Sequence, residues 1–128
     1  MSAKILLIED ERTMLNLLST LVRMEGFEAL ELEQDDDIDA ILNLLHDEKP
    51  AVILLDVNLR QFSGFDLLYR LRQDAELSDI RVIMSSGIDF SDRCLAEGAD
   101  AFILKPYMPE ELMSKIRQNI ERLPTNRE

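Results

Sequence analysis

The stretch AVILLDVNL, residues 51–59, decides the fold of this chain. It begins with five consecutive apolar residues and then reaches a single acid, Asp56. An uninterrupted apolar run of this length is typical of a strand that is buried on both faces of a parallel sheet. Lys49-Pro50, directly before the run, ends the preceding helical pattern because proline cannot continue a helix. The stretch therefore predicts a central parallel strand with a charge at its carboxyl end.

Three further apolar runs lie on both sides of this strand, and residues 27–32 alternate apolar and acidic residues, as a partly exposed strand does. Segments with helical spacing separate these stretches. Strands are predicted at residues 4–8, 27–32, 51–55, 80–84 and 101–104. Helices are predicted to begin after Glu11, after Asp37 and after Ser63, followed by a short helix that ends at Glu97 and a last helix that begins at Pro109. The first helix is predicted to bury one face that carries Met14, Leu17, Leu18, Leu21 and Val22. The last helix is predicted to bury a face that carries Leu112, Ile116, Ile120 and Leu123. This alternation predicts a doubly wound α/β domain with helices on both faces of a parallel sheet.

The composition limits the class of protein. The 128 residues suit one domain, and we assign residues 1–123 to it and residues 124–128 to a tail or the start of a linker. The net charge of −12 argues against direct binding to nucleic acid or to an anionic membrane. A single cysteine and an N-terminus that resembles neither a signal peptide nor a membrane span predict a cytoplasmic protein.

Charged and polar residues collect where the predicted strands end. They are Glu9 and Asp10 after the first strand, Asp56 after the third, Ser85 and Ser86 after the fourth, and Lys105 after the fifth. In a doubly wound sheet the ligand crevice lies outside these carboxyl ends. Each residue alone also suits an ordinary turn, cap or solvated strand end, so the prediction of a site depends on their joint placement.

This set of residues favours phosphoryl chemistry on a carboxylate. Carboxylates that lie close together repel one another unless a cation sits among them, and oxygen ligands of this kind suit Mg²⁺. A nearby lysine and hydroxyl would meet the remaining oxygens of a phosphoryl group. Asp56 is then the candidate nucleophile, with the metal and Lys105 neutralising charge.

At this point the sequence resembles a response-regulator receiver domain over essentially its whole length. The resemblance is carried by Glu9-Asp10, Asp56, Gly64, Ser86, Gly98-Ala99-Asp100-Ala101 and Lys105-Pro106. It implies a flavodoxin-like (βα)5 fold with strand order 2-1-3-4-5. It also implies a signalling domain that takes a phosphoryl group onto Asp56 from a sensor histidine kinase or a phosphotransfer protein.

The resemblance assigns a role to each site residue. Glu9, Asp10, Asp56 and the backbone carbonyl of Asn58 would hold Mg²⁺ or Mn²⁺, with Glu9 acting through water. Lys105 would pair with the phosphoryl group, and the bond from Lys105 to Pro106 is commonly cis in the family. Ser86 and Phe102 would form the switch that changes the face of the fourth helix, fifth strand and fifth helix. That face would bind a downstream protein, with the chain a monomer or a phosphorylation-dependent dimer.

Three positions depart from the family pattern. Arg60 stands where proline is frequent, so the loop after the third strand is expected to differ in shape. Phe102 lacks the hydroxyl of the tyrosine often found there. Ile88 stands where polar residues are common in members that lose their phosphoryl group quickly. Because isoleucine cannot hydrogen-bond an attacking water, slow loss is predicted. Asn58 and Ile88 are thus the residues expected to tune dephosphorylation.

Two alternatives stay open from the sequence. The first is a receiver-like interaction module that signals without phosphorylation, which the arginine at position 60 leaves possible. The second is a Mg²⁺-dependent aspartyl phosphatase. The turn after the first strand has no glycine-rich phosphate loop, which removes dinucleotide-binding and P-loop enzymes from consideration.

Overall fold

The computed structural model describes residues 2–32 and 36–121. Strands and helices alternate along this part of the chain, and the five strands form one parallel sheet in the order β2-β1-β3-β4-β5. The elements are β1 Lys4–Ile8, α1 Arg12–Met24, β2 Glu28–Glu31, α2 Ile38–Glu48, β3 Val52–Asp56, α3 Gly64–Gln73, β4 Arg81–Ser86, α4 Ser91–Ala96, β5 Ala101–Leu104 and α5 Pro109–Glu121. The predicted doubly wound fold and strand order are confirmed.

Strand β3 lies at the centre of the sheet, as its apolar sequence predicts. All five of its residues are buried, and it pairs with β1 on one side and β4 on the other. Alternate residues point to opposite faces of the sheet, so Leu55 packs toward α2, α3 and α4 while Leu54 packs toward α1 and α5. Burial on both faces explains why the strand needs no polar residue before Asp56.

Side-chain caps and left-handed residues set the helix boundaries. The Asp37 carboxylate accepts a hydrogen bond from the backbone N–H of Ala40, so Asp37 is the N-cap of α2. Ser63 caps α3 in the same way through the N–H of Phe65. Gly26 follows α1 with a φ of 94°, the left-handed conformation that a glycine adopts without strain.

The structure corrects two details of the sequence prediction. Strand β4 continues through Ser85 and Ser86 rather than ending at Met84, because both serines keep their register with β5. On α1, Leu17 is 44% exposed and Leu15 is buried in its place, since Leu15 and not Leu17 lies on the face toward the sheet. Asp35, Leu123 and the predicted tail lie outside the described residues, and the domain boundary at residue 123 stays a prediction.

At the amino ends of the strands, two arginines and one acid join α3, β4 and the approach to β5. Asp100 accepts hydrogen bonds from Arg72, from Arg81 and from the backbone N–H of Val82, at 2.9, 3.3 and 2.9 Å. This network therefore stabilises the sheet edge opposite to the one where the candidate site lies.

Within the described ranges, no helix is long and apolar enough to cross a membrane.

Candidate functional site

Three strands bring Glu9, Asp56 and Lys105 together at the carboxyl edge of the sheet. The Lys105 Nζ lies 2.9 Å from Glu9 Oε1 and 3.1 Å from Asp56 Oδ2. Both acidic side chains are nearly buried, with 3% of the Glu9 side chain and 11% of the Asp56 side chain exposed. One ammonium group therefore links two carboxylates that lie 47 residues apart along the chain (56 − 9).

The backbone around Asp56 is held by its neighbours on both sides. The N–H of Val57 donates to the carbonyl of Ser85 on β4, and the N–H of Gly64 donates to the carbonyl of Val57 at 2.7 Å. A Cβ atom at Gly64 would lie 2.4 Å from the Asp56 carbonyl oxygen, closer than real Cβ contacts allow. Glycine at position 64 thus lets the start of α3 close on the end of β3.

Burial and charge act against each other at Asp56 and Lys105. Burial raises the pKa of the Asp56 carboxyl group, while the hydrogen bond from Lys105 and, more weakly, the N–H of Asn58 oppose this rise. Burial lowers the pKa of Lys105, but its hydrogen bonds to Glu9 and Asp56 prevail and the pKa is raised overall. Lys105 is therefore held as a cation next to the Asp56 carboxylate, whose charged form is destabilised by burial.

Asp10 has a different basic partner. The backbone N–H of Arg60 donates to Asp10 Oδ2 at 2.8 Å, and the Arg60 guanidinium donates to the Asp10 carbonyl at 3.3 Å. Among the residues that the structure describes, no three acids, histidines or cysteines are grouped so as to hold a metal ion. Magnesium commonly uses only one or two carboxylates, so the chemistry of Asp10 and Asp56 still fits that ion.

The predicted switch residues lie on one face of the sheet. Ser86 pairs with Leu104, and Met84 pairs with Phe102, so Phe102 is the diagonal neighbour of Ser86 on the same face. The Ser86 side chain is buried, and its Oγ accepts a hydrogen bond from the N–H of Ile88 at 3.1 Å. Ser86 also accepts, through its carbonyl, from the N–H of Lys105. The serine thus contacts the backbone next to the lysine, whose bond to Pro106 is cis.

Sequence reasoning did not identify Tyr107 as a neighbour of the site. Burial raises the pKa of its hydroxyl, and the negative charges of Glu9 and Asp56 raise it further. Within the described part of the chain, the buried hydroxyls of Tyr107 and Ser85 have no protein hydrogen-bond partner. The only signal available in the sequence was the position of Tyr107 two residues after Lys105, which does not reveal where the hydroxyl points.

Comparison with known proteins places this geometry in one family. Residues 5–117 match the family model described as the response regulator receiver domain. Among curated relatives, the phosphate regulon transcriptional regulatory protein PhoB of Pseudomonas aeruginosa is 34% identical over 92% of this chain and 52% of its own length. The chain spans about half the length of the curated relatives it matches.

Two solved structures show the same fold. A CheY-like response regulator receiver domain protein from Methanospirillum hungatei superposes with a TM-score of 0.82 at 24% identity, covering 95% of this chain and 96% of its own. The chemotaxis protein CheY4 of Vibrio cholerae gives a TM-score of 0.80 at 21% identity, covering 92% and 98% of the two chains.

Proposed function

This chain belongs to the response regulator receiver family, and we propose that it accepts a phosphoryl group on the Asp56 carboxylate. Receiver domains are signalling domains of two-component systems rather than conventional enzymes. The donor proposed is a phosphohistidine on a sensor histidine kinase or a phosphotransfer protein. The observation that carries the proposal is the contact of one ammonium group, Lys105 Nζ, with both Asp56 and Glu9.

The proposed transfer uses Asp56 as the nucleophile. One carboxylate oxygen forms the new bond to phosphorus, the bond from phosphorus to the histidine ring nitrogen breaks, and that nitrogen keeps the electron pair. Lys105 lies within hydrogen-bond distance of the attacking carboxylate, so its charge can follow the phosphoryl oxygens as they arrive. Glu9 accepts from Lys105 through one oxygen and from the N–H of Glu11 through the other, which suits a residue that orients the lysine.

The residues present fit a divalent cation, Mg²⁺ or Mn²⁺. We propose that the carboxylates of Asp10 and Asp56 and the backbone carbonyl of Asn58 hold it. Glu9 then acts through water, because both of its oxygens are already engaged by the chain. When bound, such an ion supplies positive charge against the phosphoryl oxygens. The ion would also stabilise the charged form of Asp56, since burial has removed much of the water that would otherwise do so.

The exposed surface next to the site suits a protein partner. Large apolar side chains are exposed on α4, at the end of β5 and before α5: Leu95, Leu104 and Met108. We propose that Ser86 and Phe102 alter this surface when Asp56 is phosphorylated, and that a downstream protein or a second copy of the chain binds there. PhoB is named a transcriptional regulator. We propose that the strongly acidic domain described here influences such an output through protein contacts rather than by touching nucleic acid.

Ile88 is proposed to slow loss of the phosphoryl group. Its side chain is 61% exposed, close in sequence to Ser86, and has no polar atom to bind an attacking water. Substitution Ile88→Glu is expected to shorten the lifetime of the phosphorylated protein about tenfold, because a carboxylate can accept a hydrogen bond from that water. The decay of the phosphorylated mass is followed after donor removal, with Ile88→Leu as control. Decay of the wild type within seconds, or equal lifetimes for all three proteins, contradicts this role.

Beryllofluoride binding tests the proposed function directly, because this ion mimics a phosphoryl group on a carboxylate. With Mg²⁺ present, we expect large changes in the amide NMR signals of Asp56, Ser86 and Lys105. Asp56→Asn should abolish these changes, and Asp66→Asn, at an exposed position of α3, should retain them. A wild type that does not respond would favour the phosphorylation-independent interaction module. An equal response in Asp56→Asn would move the acceptor to another residue.

A further inference from the structure

Arg60 contacts the Asp10 carboxylate in two ways. Its backbone N–H donates to Asp10 Oδ2 at 2.8 Å. Its guanidinium Nε lies 3.9 Å from the same oxygen, and its Nη2 donates to the Asp10 carbonyl at 3.3 Å. The two residues lie 50 positions apart in the chain, so the contact depends on the fold.

Different basic residues contact the acids at this sheet edge. Lys105 contacts Glu9 and Asp56, and its side chain is mostly buried. Arg60 contacts Asp10, and 79% of its side chain is exposed. Arg60 and Asp10 also line one cavity of about 380 Å³ at the sheet edge. A cation that reaches Asp10 from this cavity must therefore approach a carboxylate beside which a guanidinium already lies.

We propose that the Arg60 guanidinium competes with Mg²⁺ for Asp10 and so sets the affinity of the domain for the metal. This inference rests on the proposed function, which places the metal on Asp10. The backbone N–H of Arg60 positions the carboxylate and is present with any residue other than proline. The guanidinium repels a divalent ion, and its own exposed contact with Asp10 is weak enough to be displaced. Charge at position 60, rather than the hydrogen bond from its backbone, is the quantity that limits binding.

Titration of MgCl₂ into the purified protein by calorimetry, at constant ionic strength, tests this inference. Arg60→Ala and Arg60→Gln are expected to lower the Kd for Mg²⁺ about fivefold, because both keep the N–H and remove the charge. Arg60→Lys should stay within about twofold of the wild type, since its charge is kept. The matched control is Arg12→Ala, which removes an exposed arginine that lines the same cavity but approaches Glu31 instead.

The outcomes separate this inference from the proposed function. Tighter binding in Arg60→Ala and Arg60→Gln, with Arg60→Lys near the wild type, supports it. Equal Kd values in all the proteins, or an Arg12→Ala effect as large as that of Arg60→Ala, overturns it and leaves the proposed metal site in place. Absence of Mg²⁺ binding in the wild type and in every variant overturns both. Because the Arg60 side chain is mostly exposed, these variants are expected to fold like the wild type.

Discussion

Replacing Lys105 with methionine is expected to slow phosphoryl acceptance by about a hundredfold, because removing one donor that stabilises transition-state charge has an effect of about this size in enzyme active sites. Methionine keeps much of the length of the side chain but has no ammonium group. The buried carboxylates of Glu9 and Asp56 would then face each other with no basic side chain between them. Breaking a buried ion pair by removing one partner is strongly destabilising, so we also expect a lower free energy of unfolding.

The rate is measured as the growth of the phosphorylated mass with acetyl phosphate and Mg²⁺ present. Lys4→Met is the matched control, because Lys4 also bonds a glutamate, Glu48, at 2.8 Å but lies at the start of β1, away from the site. We expect the control to react at the wild-type rate. A Lys105→Met rate within about threefold of the wild type would contradict the role given to the ammonium group.

Gly64→Ala is expected to lower the free energy of unfolding by about 2–3 kcal/mol, the usual cost of overpacking. The new Cβ would lie 2.4 Å from the Asp56 carbonyl oxygen and 3.1 Å from the Val57 Cα. Both neighbours are backbone atoms, so the start of α3 or the end of β3 must move. Since that movement displaces the proposed phosphoacceptor, the same variant should also bind beryllofluoride less tightly.

Urea denaturation of Gly64→Ala and Gly87→Ala gives the comparison. A Cβ at Gly87 meets nothing within 4 Å, although Gly87 directly follows Ser86 at the same sheet edge. Its substitution is expected to change the free energy of unfolding by no more than about 0.5 kcal/mol. Equal stability of the two variants would show that the start of α3 accommodates the extra methyl group, which would contradict a tight contact between Gly64 and the end of β3.

The centre of the sheet was predictable because β1 and β3 carry uninterrupted apolar runs. A run such as residues 51–55 has no polar face, and only a sheet covered on both sides buries such a strand. The site followed from the same property, since parallel strands place their carboxyl ends at one edge. That rule predicted the neighbourhood of Glu9, Asp56 and Lys105 without any knowledge of distances.

The partners of individual side chains could not be predicted in this way. Arg60 and Asp10 are brought together by the path of the loop between β3 and α3, and nothing in either local sequence specifies that path. The hydroxyl of Tyr107 lies near the acids for a similar reason, because its direction depends on the turn that follows Lys105. The exposure of Leu17 in place of Leu15 shows a further limit. A helix face read from spacing alone can be rotated by a fraction of a turn.

Intact-mass spectrometry after incubation with acetyl phosphate and Mg²⁺ tests the central claim, that Asp56 accepts a phosphoryl group. The wild type is expected to gain the mass of one phosphoryl group, and Asp56→Asn to gain none, because an amide oxygen is a far poorer nucleophile than a carboxylate. An unchanged mass of the wild type, or an equal gain in Asp56→Asn, would contradict the claim.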